Sequence, residues 1–358
     1  MTDLGIGLVG HGWIARAHAH ALRTVDRLAP LSRSVRLISL AGRRPDSVEA
    51  AAREFGFARW TTNWQDLLDD EEIDVIAIAT PPESHAAIAI AAAEHGKHVL
   101  CEKPLAVDAE EARAMLETAE TAGIVHASGF NYRFVPAVAL IRKLVETGQL
   151  GDLRHYRALY LQDFAAAAEA GPREAGALFD YSHLIDMVRH LAGEPSSISA
   201  RTSRFVSESE DAYVATLELR NGAVASLEAS RIALGWKGRH TIELNGSRGS
   251  VWWDMEDLNH LHVFLADDER EGLGGFRNVL VTQPEHPYLE SWWTPGHTLG
   301  WDASLVHQWR TFLEAVVEQR PADPTLASFA DGHAAAAICD AIRTSSAENR
   351  TLRAGTPA

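Results

Sequence analysis

Residues Ile73 to Ala79 (IDVIAIA) are apolar nearly throughout, yet the run is only seven residues long. Such a run is satisfied as a central parallel strand buried on both faces. A parallel sheet needs helical crossovers, and the sequence on either side supplies them. Over the first 130 residues, short apolar runs alternate with Ala-rich stretches of 3.6-residue spacing, the pattern of an α/β doubly wound sheet. Gly5 to Gly10 reads as a strand, followed by a helix from about Trp13 to Thr24 with Ile14, Ala17, Ala21, Leu22 and Val25 along one side. Val35 to Ala41 is a second strand, and Pro45 and Asp46 open a helix that stops at Gly56. Thr80-Pro81-Pro82 ends the central strand, a helix runs to His95, and His98 to Cys101 is the next strand. Asp108 and Glu111 resemble a capping box for a helix reaching about Ala122, and Ile124 to Gly129 closes the series.

Beyond residue 150 the pattern changes to strands joined by tight turns, which predicts an α+β domain on a large, mostly antiparallel open sheet. Asn221-Gly222 joins Ala212 to Arg220 with Ala223 to Ser230, and Tyr213, Ala215, Leu217 and Leu219 alternate with more polar neighbours. Asn245-Gly246 reads as a second hairpin turn. Helical spacing returns over 303–318 and 326–346. The expected division is a dinucleotide-binding domain over 1–130, a substrate-binding and oligomerisation domain over 131–350, and a tail over 351–358. Lys and Arg total 33 against 49 Asp and Glu, a formal charge of −16, which disfavours nucleic acid and anionic membranes as partners. No apolar run approaches the roughly 18 residues of a membrane span, and Met1-Thr2-Asp3-Leu4 does not open a signal peptide, so a cytoplasmic protein is expected. Cys101 and Cys339 alone build neither a disulfide framework nor a zinc site, and no metal is expected.

Gly10-His11-Gly12-Trp13-Ile14-Ala15 fits G-x-G-x-x-(G/A) and lies between a strand and a helix, where that pattern binds a dinucleotide. The first glycine permits the turn, the second admits a pyrophosphate, and the small Ala15 allows close packing. The anion then meets the unpaired N–H groups and dipole of the helix start. NAD-specific sheets carry an Asp or Glu at the end of strand two, but here the strand ends Leu40-Ala41-Gly42-Arg43-Arg44. Two guanidinium groups without a carboxylate favour the 2′-phosphate of NADP over NAD. Lys103 is placed at the carboxyl end of a parallel strand, the edge at which open α/β sheets bind ligands, and Thr80 and Pro81 share that edge.

The Gly10 turn, Ala79-Thr80-Pro81-Pro82-Glu83-Ser84-His85, Glu102-Lys103-Pro104, Asn131-Tyr132-Arg133-Phe134 and Gly176 to Gly193 together resemble the glucose–fructose oxidoreductase, inositol dehydrogenase and rhizopine-catabolism (Gfo/Idh/MocA) family. The resemblance covers about residues 5–193. It implies a Rossmann domain followed by an open-sheet domain that faces the nicotinamide and makes subunit contacts, in a homodimer or homotetramer. It also implies dinucleotide contacts from Thr80, Pro81, His85, Glu102, Lys103 and Asn131. Oxidising a secondary alcohol needs a base for the hydroxyl proton and a cation for the developing alkoxide. The resemblance assigns the cation to Lys103 and the base to His183. Asp180 would orient His183 or bind a substrate hydroxyl, with Asp186 as the rival orienter. Asp180 lies three residues before His183, where many members have four, and on one continuous helix the two would still share a face.

Seven of the ten tryptophans lie in the second half, and indole faces suit the C–H side of a sugar or cyclitol ring. Trp292 and His297 fall in a loop that could close over a substrate. Tyr132, Arg133, Tyr160 and Gln162 complete the expected polar contacts. The leading expectation is an NAD(P)-dependent dehydrogenase acting on a ring hydroxyl of a sugar, anhydrosugar or inositol. The alternatives are a redox-neutral oxidoreductase or glycosidase with a tightly bound cofactor, and a non-catalytic dinucleotide sensor.

Overall fold

Short buried β runs separated by amphipathic helices leave one economical arrangement, a sheet covered on both faces, and the amino-terminal half adopts it. The structure, a computed structural model, describes residues 3–28, 31–166, 176–268, 272–319 and 323–353. The chain divides into two compact units, residues 1–134 with 301–336 and residues 135–300 with 337–358.

In the first unit the order is β1 (Leu4–Val9), α1 (Trp13–Leu28), β2 (Val35–Ala41), α2 (Pro45–Phe55), β3 (Arg59–Thr61), β4 (Val75–Ile78), α3 (His85–Glu94), β5 (His98–Cys101), α4 (Ala109–Ala122) and β6 (His126–Ser128). The strands form one parallel sheet in the order β3-β2-β1-β4-β5-β6. The order reverses between β1 and β4, so the ligand crevice of such a sheet opens beyond their carboxyl ends. Ile6, Leu8, Val75, Ile76, Val99 and Leu100 are wholly buried. Gly56 and Gly123 end their helices in the left-handed conformation, and the Asp108 side chain accepts the Glu111 N–H, as the capping box requires.

The second unit contains α5 (Pro136–Glu146), β7 (Leu153–Leu161), α6 (Ala177–Asp180), α7 (Ser182–Leu191), β8 (Pro195–Ser203), β9 (Ala212–Leu219), β10 (Val224–Ser230), β11 (Arg239–Gly246), β12 (Gly249–Asp254), β13 (His260–Leu265) and β14 (Arg277–Leu280). A nine-stranded sheet runs β14-β13-β12-β11-β7-β10-β9-β8-β15, where β15 is Leu352–Arg353, and only β7 with β10 is parallel. Tyr213, Ala215, Leu217 and Leu219 are buried between exposed Val214, Thr216 and Glu218, so the alternation read from the sequence sets the face. Helices α5, α6 and α7 pack on the sheet.

Three expectations need correction. Asn245 and Gly246 are the last residues of β11 instead of its turn, which falls at Ser247 and Arg248. A Cβ on Gly246 would lie 2.1 Å from the Leu150 carbonyl oxygen, so this glycine serves close backbone approach. The tail begins too early at 351, because Leu352 and Arg353 pair with Ile198 and Ser197 of β8; residues 354–358 lie outside those described. The carboxyl-terminal helices are α8 (Asp302–Glu318) and α9 (Phe329–Glu348), and α8 packs on α1. Residues 301–336 thus complete the first unit, where the sequence suggested a single break near 130.

Candidate active site

The first unit builds a dinucleotide edge from the ends of β1, β2, β4 and β5. Gly10 has φ 107°, and a Cβ there would sit 2.3 Å from the Ala79 carbonyl oxygen. The turn therefore packs directly on the end of β4, which only glycine allows. A Cβ on Gly12 would meet nothing within 4 Å, so this turn is open where a pyrophosphate would approach the start of α1. Ala15 is fully buried against the unit, while Trp13 is 74% exposed with its ring 6.0 Å from that of Trp301. Ile14 is half-buried beside it.

Gly42 holds the close contact at the end of β2. A Cβ there would lie 2.4 Å from His11 Nδ1, and the His11 ring is tethered by Nε2 at 3.0 Å from Ser47 Oγ. Burial lowers the His11 pKa, and Arg44 and Arg43 lower it further. Both arginines are exposed. At the end of β4, Ser84 Oγ donates to Thr80 Oγ1 at 2.8 Å and Pro81 is exposed beside it.

Lys103 follows β5, half-buried, and its peptide bond to Pro104 is cis. Glu102 is 7% exposed, and its Oε2 accepts the Lys103 N–H at 3.1 Å while Oε1 lies 2.8 Å from His18 Nε2. This carboxylate holds the lysine's backbone. His85, expected to touch the cofactor, is wholly buried, with Nε2 2.9 Å from the Thr80 carbonyl and Nδ1 3.0 Å from that of Pro104. Burial lowers its pKa, and its place is beneath the edge, tying the Thr80 and Lys103 loops together. Asn131, Tyr132 and Arg133 form a buried 3-10 turn with Phe134. Asn131 Nδ2 donates to Ser304 Oγ at 2.7 Å, and Arg133 pairs with Asp331 at 3.2 Å. These partners belong to the returning carboxyl-terminal segment, so the structure gives Asn131 and Arg133 interior duties where ligand contacts were expected.

In the second unit Asp180, His183 and Tyr160 lie about the junction of α6 and α7. The segment is not one helix, since Tyr181 has φ −111° and ψ 26° and separates Asp180, the last residue of α6, from His183 in the first turn of α7. Tyr181 Oη donates to the Ser230 carbonyl at 3.1 Å, and its ring lies 4.7 Å from that of Tyr160. This anchorage overturns the shared face proposed for Asp180 and His183. His183 and Asp186, both on α7, do share one, and Asp186 is fully buried. Asp180 Oδ2 instead lies 3.6 Å from Arg231 Nη1. Arg231, 1% exposed, bonds Asp211 Oδ1 at 3.1 Å and the hydroxyls of Ser207 and Ser209. Burial would raise the Asp211 pKa, but the N–H groups of Val206 and Phe205, the Ser207 hydroxyl and Arg231 pull it down to about 2. Nothing local in the sequence flags Arg231, because its partners come from 20 to 51 residues away.

Tyr160, 7% exposed, also stacks on His240 with ring centroids 4.8 Å apart. Gln162 follows β7, its Nε2 donating to the Lys237 carbonyl at 3.0 Å. Trp292 is half-buried, with its ring 5.6 Å from that of exposed Trp293, and exposed His297 has Nδ1 2.9 Å from the Thr294 carbonyl. Their loop is tied down by Asn259, which exchanges two hydrogen bonds of 2.9 Å with Leu299, and by Thr282. Among the described residues, no group of three His, Cys, Asp or Glu is placed to hold a metal ion, and no helix is long and apolar enough to cross a membrane.

Comparison with known proteins matches residues 4–130 to an oxidoreductase family described by its NAD-binding Rossmann fold, and residues 138–252 to the GFO/IDH/MocA C-terminal domain. The chain is 36% identical to levoglucosan dehydrogenase of Pseudarthrobacter phenanthrenivorans, covering 97% of each protein. The crystal structure of an oxidoreductase domain protein from Kribbella flavida is 40% identical, with TM-score 0.94 over 99% of this chain and 100% of that one. A levoglucosan dehydrogenase structure in complex with NADH and levoglucosan has TM-score 0.94 at 36% identity, over 99% of this chain and 100% of that one.

Proposed function

Because the chain belongs to the Gfo/Idh/MocA family of NAD-dependent oxidoreductases acting on CH–OH donors, we propose that Lys103 and His183 carry hydride transfer from a ring secondary alcohol. The observation that carries the reading is Lys103 itself, at the carboxyl end of β5 with its backbone held by the buried Glu102 carboxylate. The residues present fit a dinucleotide. The Gly10 turn packs on β4, Gly12 faces open space, and α1 begins there. Bound NAD supplies the hydride acceptor. As the C–H bond breaks and the carbonyl forms, His183 takes the hydroxyl proton and the Lys103 ammonium stabilises the negative charge building on oxygen. Asp186, three residues on along α7, orients His183. Asp180, held by Arg231, is left to accept a substrate hydroxyl, and Tyr160 gives the ring a wall.

The substrate class is a sugar, anhydrosugar or inositol, and full-length similarity to levoglucosan dehydrogenase makes an anhydrosugar the first compound to test. Arg43 and Arg44, with no carboxylate at the end of β2, support NADP over NAD, whereas the relative crystallised with NADH favours NAD; the ratio of kcat/KM for the two decides. The alternating exposed face of the second sheet, with Val214 and Val224 at 56% and 48% exposure, supports a homodimer or homotetramer through that face. Dependence on a shared nicotinamide pool supports a cytoplasmic location. The test is a panel of sugars and inositols read at the nicotinamide absorbance. Turnover with at least one ring alcohol, lost in Lys103→Ala, is the expected result. Cofactor binding without turnover on any of them would favour a sensor, and product formed without free NAD(P)H a redox-neutral enzyme.

A further inference from the structure

A buried chain of hydrogen bonds runs from α8 to the backbone of Lys103, and packing alone does not account for it. Trp309 Nε1 donates to His18 Nδ1 at 2.9 Å, the two rings edge to face. An indole N–H only donates, so Nδ1 is the accepting nitrogen and the proton of the neutral imidazole sits on Nε2. That Nε2–H points at Glu102 Oε1, 2.8 Å away, and Glu102 Oε2 accepts the Lys103 N–H at 3.1 Å. Trp309, His18 and Glu102 are 0%, 1% and 7% exposed. Space for the carboxylate is made by Gly129, whose Cβ would come within 2.8 Å of Oε1.

Burying a carboxylate is unfavourable unless its oxygens are bonded, and three apolar side chains would join α1, β5 and α8 without that penalty. The network instead directs both oxygens of one carboxylate, one toward the helix that starts at the Gly10 turn and the other toward the lysine. We propose that Trp309, His18 and Glu102 are positioning residues that fix Lys103 relative to the dinucleotide edge, with Trp309 selecting the His18 tautomer that lets the chain close. This rests on the reading of Lys103 given above. Positioning of this kind matters most in the transition state, where small misplacement of a charge-stabilising group is expensive in rate.

The experiment is a double-mutant cycle on the full-length enzyme, with Trp309→Phe, which removes only the N–H donor, and Glu102→Gln, each alone and combined with Lys103→Ala. The expected result is a kcat reduced 10-fold to 100-fold in each single variant, cofactor Kd and thermal midpoint near wild type, and no further loss when either is added to Lys103→Ala. Nitrogen-15 NMR of the wild-type enzyme should show His18 protonated on Nε2, and the Trp309→Phe spectrum should lose that fixed tautomer. Wild-type kcat in both single variants, losses that add to that of Lys103→Ala, or an Nδ1-protonated His18 in the wild type would overturn the proposal. Full activity in Lys103→Ala itself would instead remove the reading on which it rests.

Discussion

Replacing Gly42 with Asp is the direct way to ask whether the end of β2 reads the adenine ribose, and the structure says the single change will fail for a steric reason. Gly42 does not have a left-handed backbone, so the obstacle is not conformational. Its Cβ would stand 2.4 Å from His11 Nδ1, about 1 Å inside ordinary contact, and 3.1 Å from Val48 Cβ. The imidazole must leave its place, losing the bond to Ser47, about 1 kcal/mol net, and taking a poorer rotamer, about another 1 kcal/mol. Gly42→Asp alone should therefore destabilise the folded enzyme by about 2 kcal/mol, with or without cofactor. In His11→Ala/Gly42→Asp the obstruction is gone. A carboxylate about 5 Å from a 2′-phosphate then costs about 3 kcal/mol at an effective dielectric of 20, so kcat/KM for NAD relative to NADP should rise about 100-fold over His11→Ala. Urea unfolding of Gly42→Asp and steady-state kinetics with both cofactors on His11→Ala and the double variant read this out. If Gly42→Asp alone is as stable as wild type, His11 does not fill that space. If the double variant keeps the wild-type ratio, the ribose lies elsewhere.

Lys103→Ala should lower kcat by about 100-fold to 1,000-fold, the range for removing one charge-stabilising group, while cofactor Kd measured by tryptophan fluorescence stays within a few-fold; a large loss of affinity would make Lys103 a binding residue. His183→Ala should abolish the near-neutral limb of the pH–rate profile, and a profile retaining that limb assigns the base to another group. Asp211→Asn tests the Arg231 anchorage. The folded-state pKa of about 2 lies below the ordinary carboxylate value of about 3.9, so the stabilisation is present above pH 4 and lost as pH falls toward 2. A depression of that size corresponds to about 2 to 3 kcal/mol. Urea unfolding should show the wild type more stable than the variant by roughly that amount at pH 7, with the gap closing near pH 2, and a gap independent of pH would mean that Asp211 acts through packing alone.

Where the sequence carries its own punctuation, the structure follows it closely. Strands β2 and β5 fall on the expected residues, Gly56 and Gly123 cap where they were read, and the alternation across β9 sets its buried face. The failures share a physical origin, which is contact with distant parts of the chain. Gly246 looks like half of a turn signal but answers to the Leu150 backbone. The sequence predicts an α1 stripe through Ile14, Ala17, Ala21, Leu22 and Val25. Ala21, Leu22 and Val25 are buried, but Ile14 and Ala17 are half-buried and Ala15, His18 and Ala19 take the inner face, because His18 has partners inside. A histidine in register with an apolar stripe is a signal that could have been read. Arg133 and Asn131 resemble ligand contacts until Asp331 and Ser304 arrive from some 170 to 200 residues away. Of the candidate site, the residue types and their strand ends were legible, and the scaffold that holds them was not.

That scaffold has a consequence for how the cofactor unit is built. The sheet and its crossovers are complete by residue 134, yet one side of α1 is closed by α8, which starts at residue 302. Trp309 meets His18 from that helix, Gln308 Nε2 donates to the Ser128 carbonyl at the end of β6, and His307 Nδ1 lies 2.9 Å from the Phe134 carbonyl. Three consecutive side chains thus reach α1, the last strand and the turn that leaves the sheet. Burial pushes the His307 pKa down to about 4, so at neutral pH the helix brings no buried imidazolium to this junction. If Trp309, His18 and Glu102 position Lys103 as proposed, the lysine's backbone is fully held only once α8 has packed on α1. On the positioning proposed above, organisation of the cofactor edge is therefore coupled to the folding of α8, and a substitution far along the sequence, at Trp309, acts on the same lysine as one at Glu102 beside it.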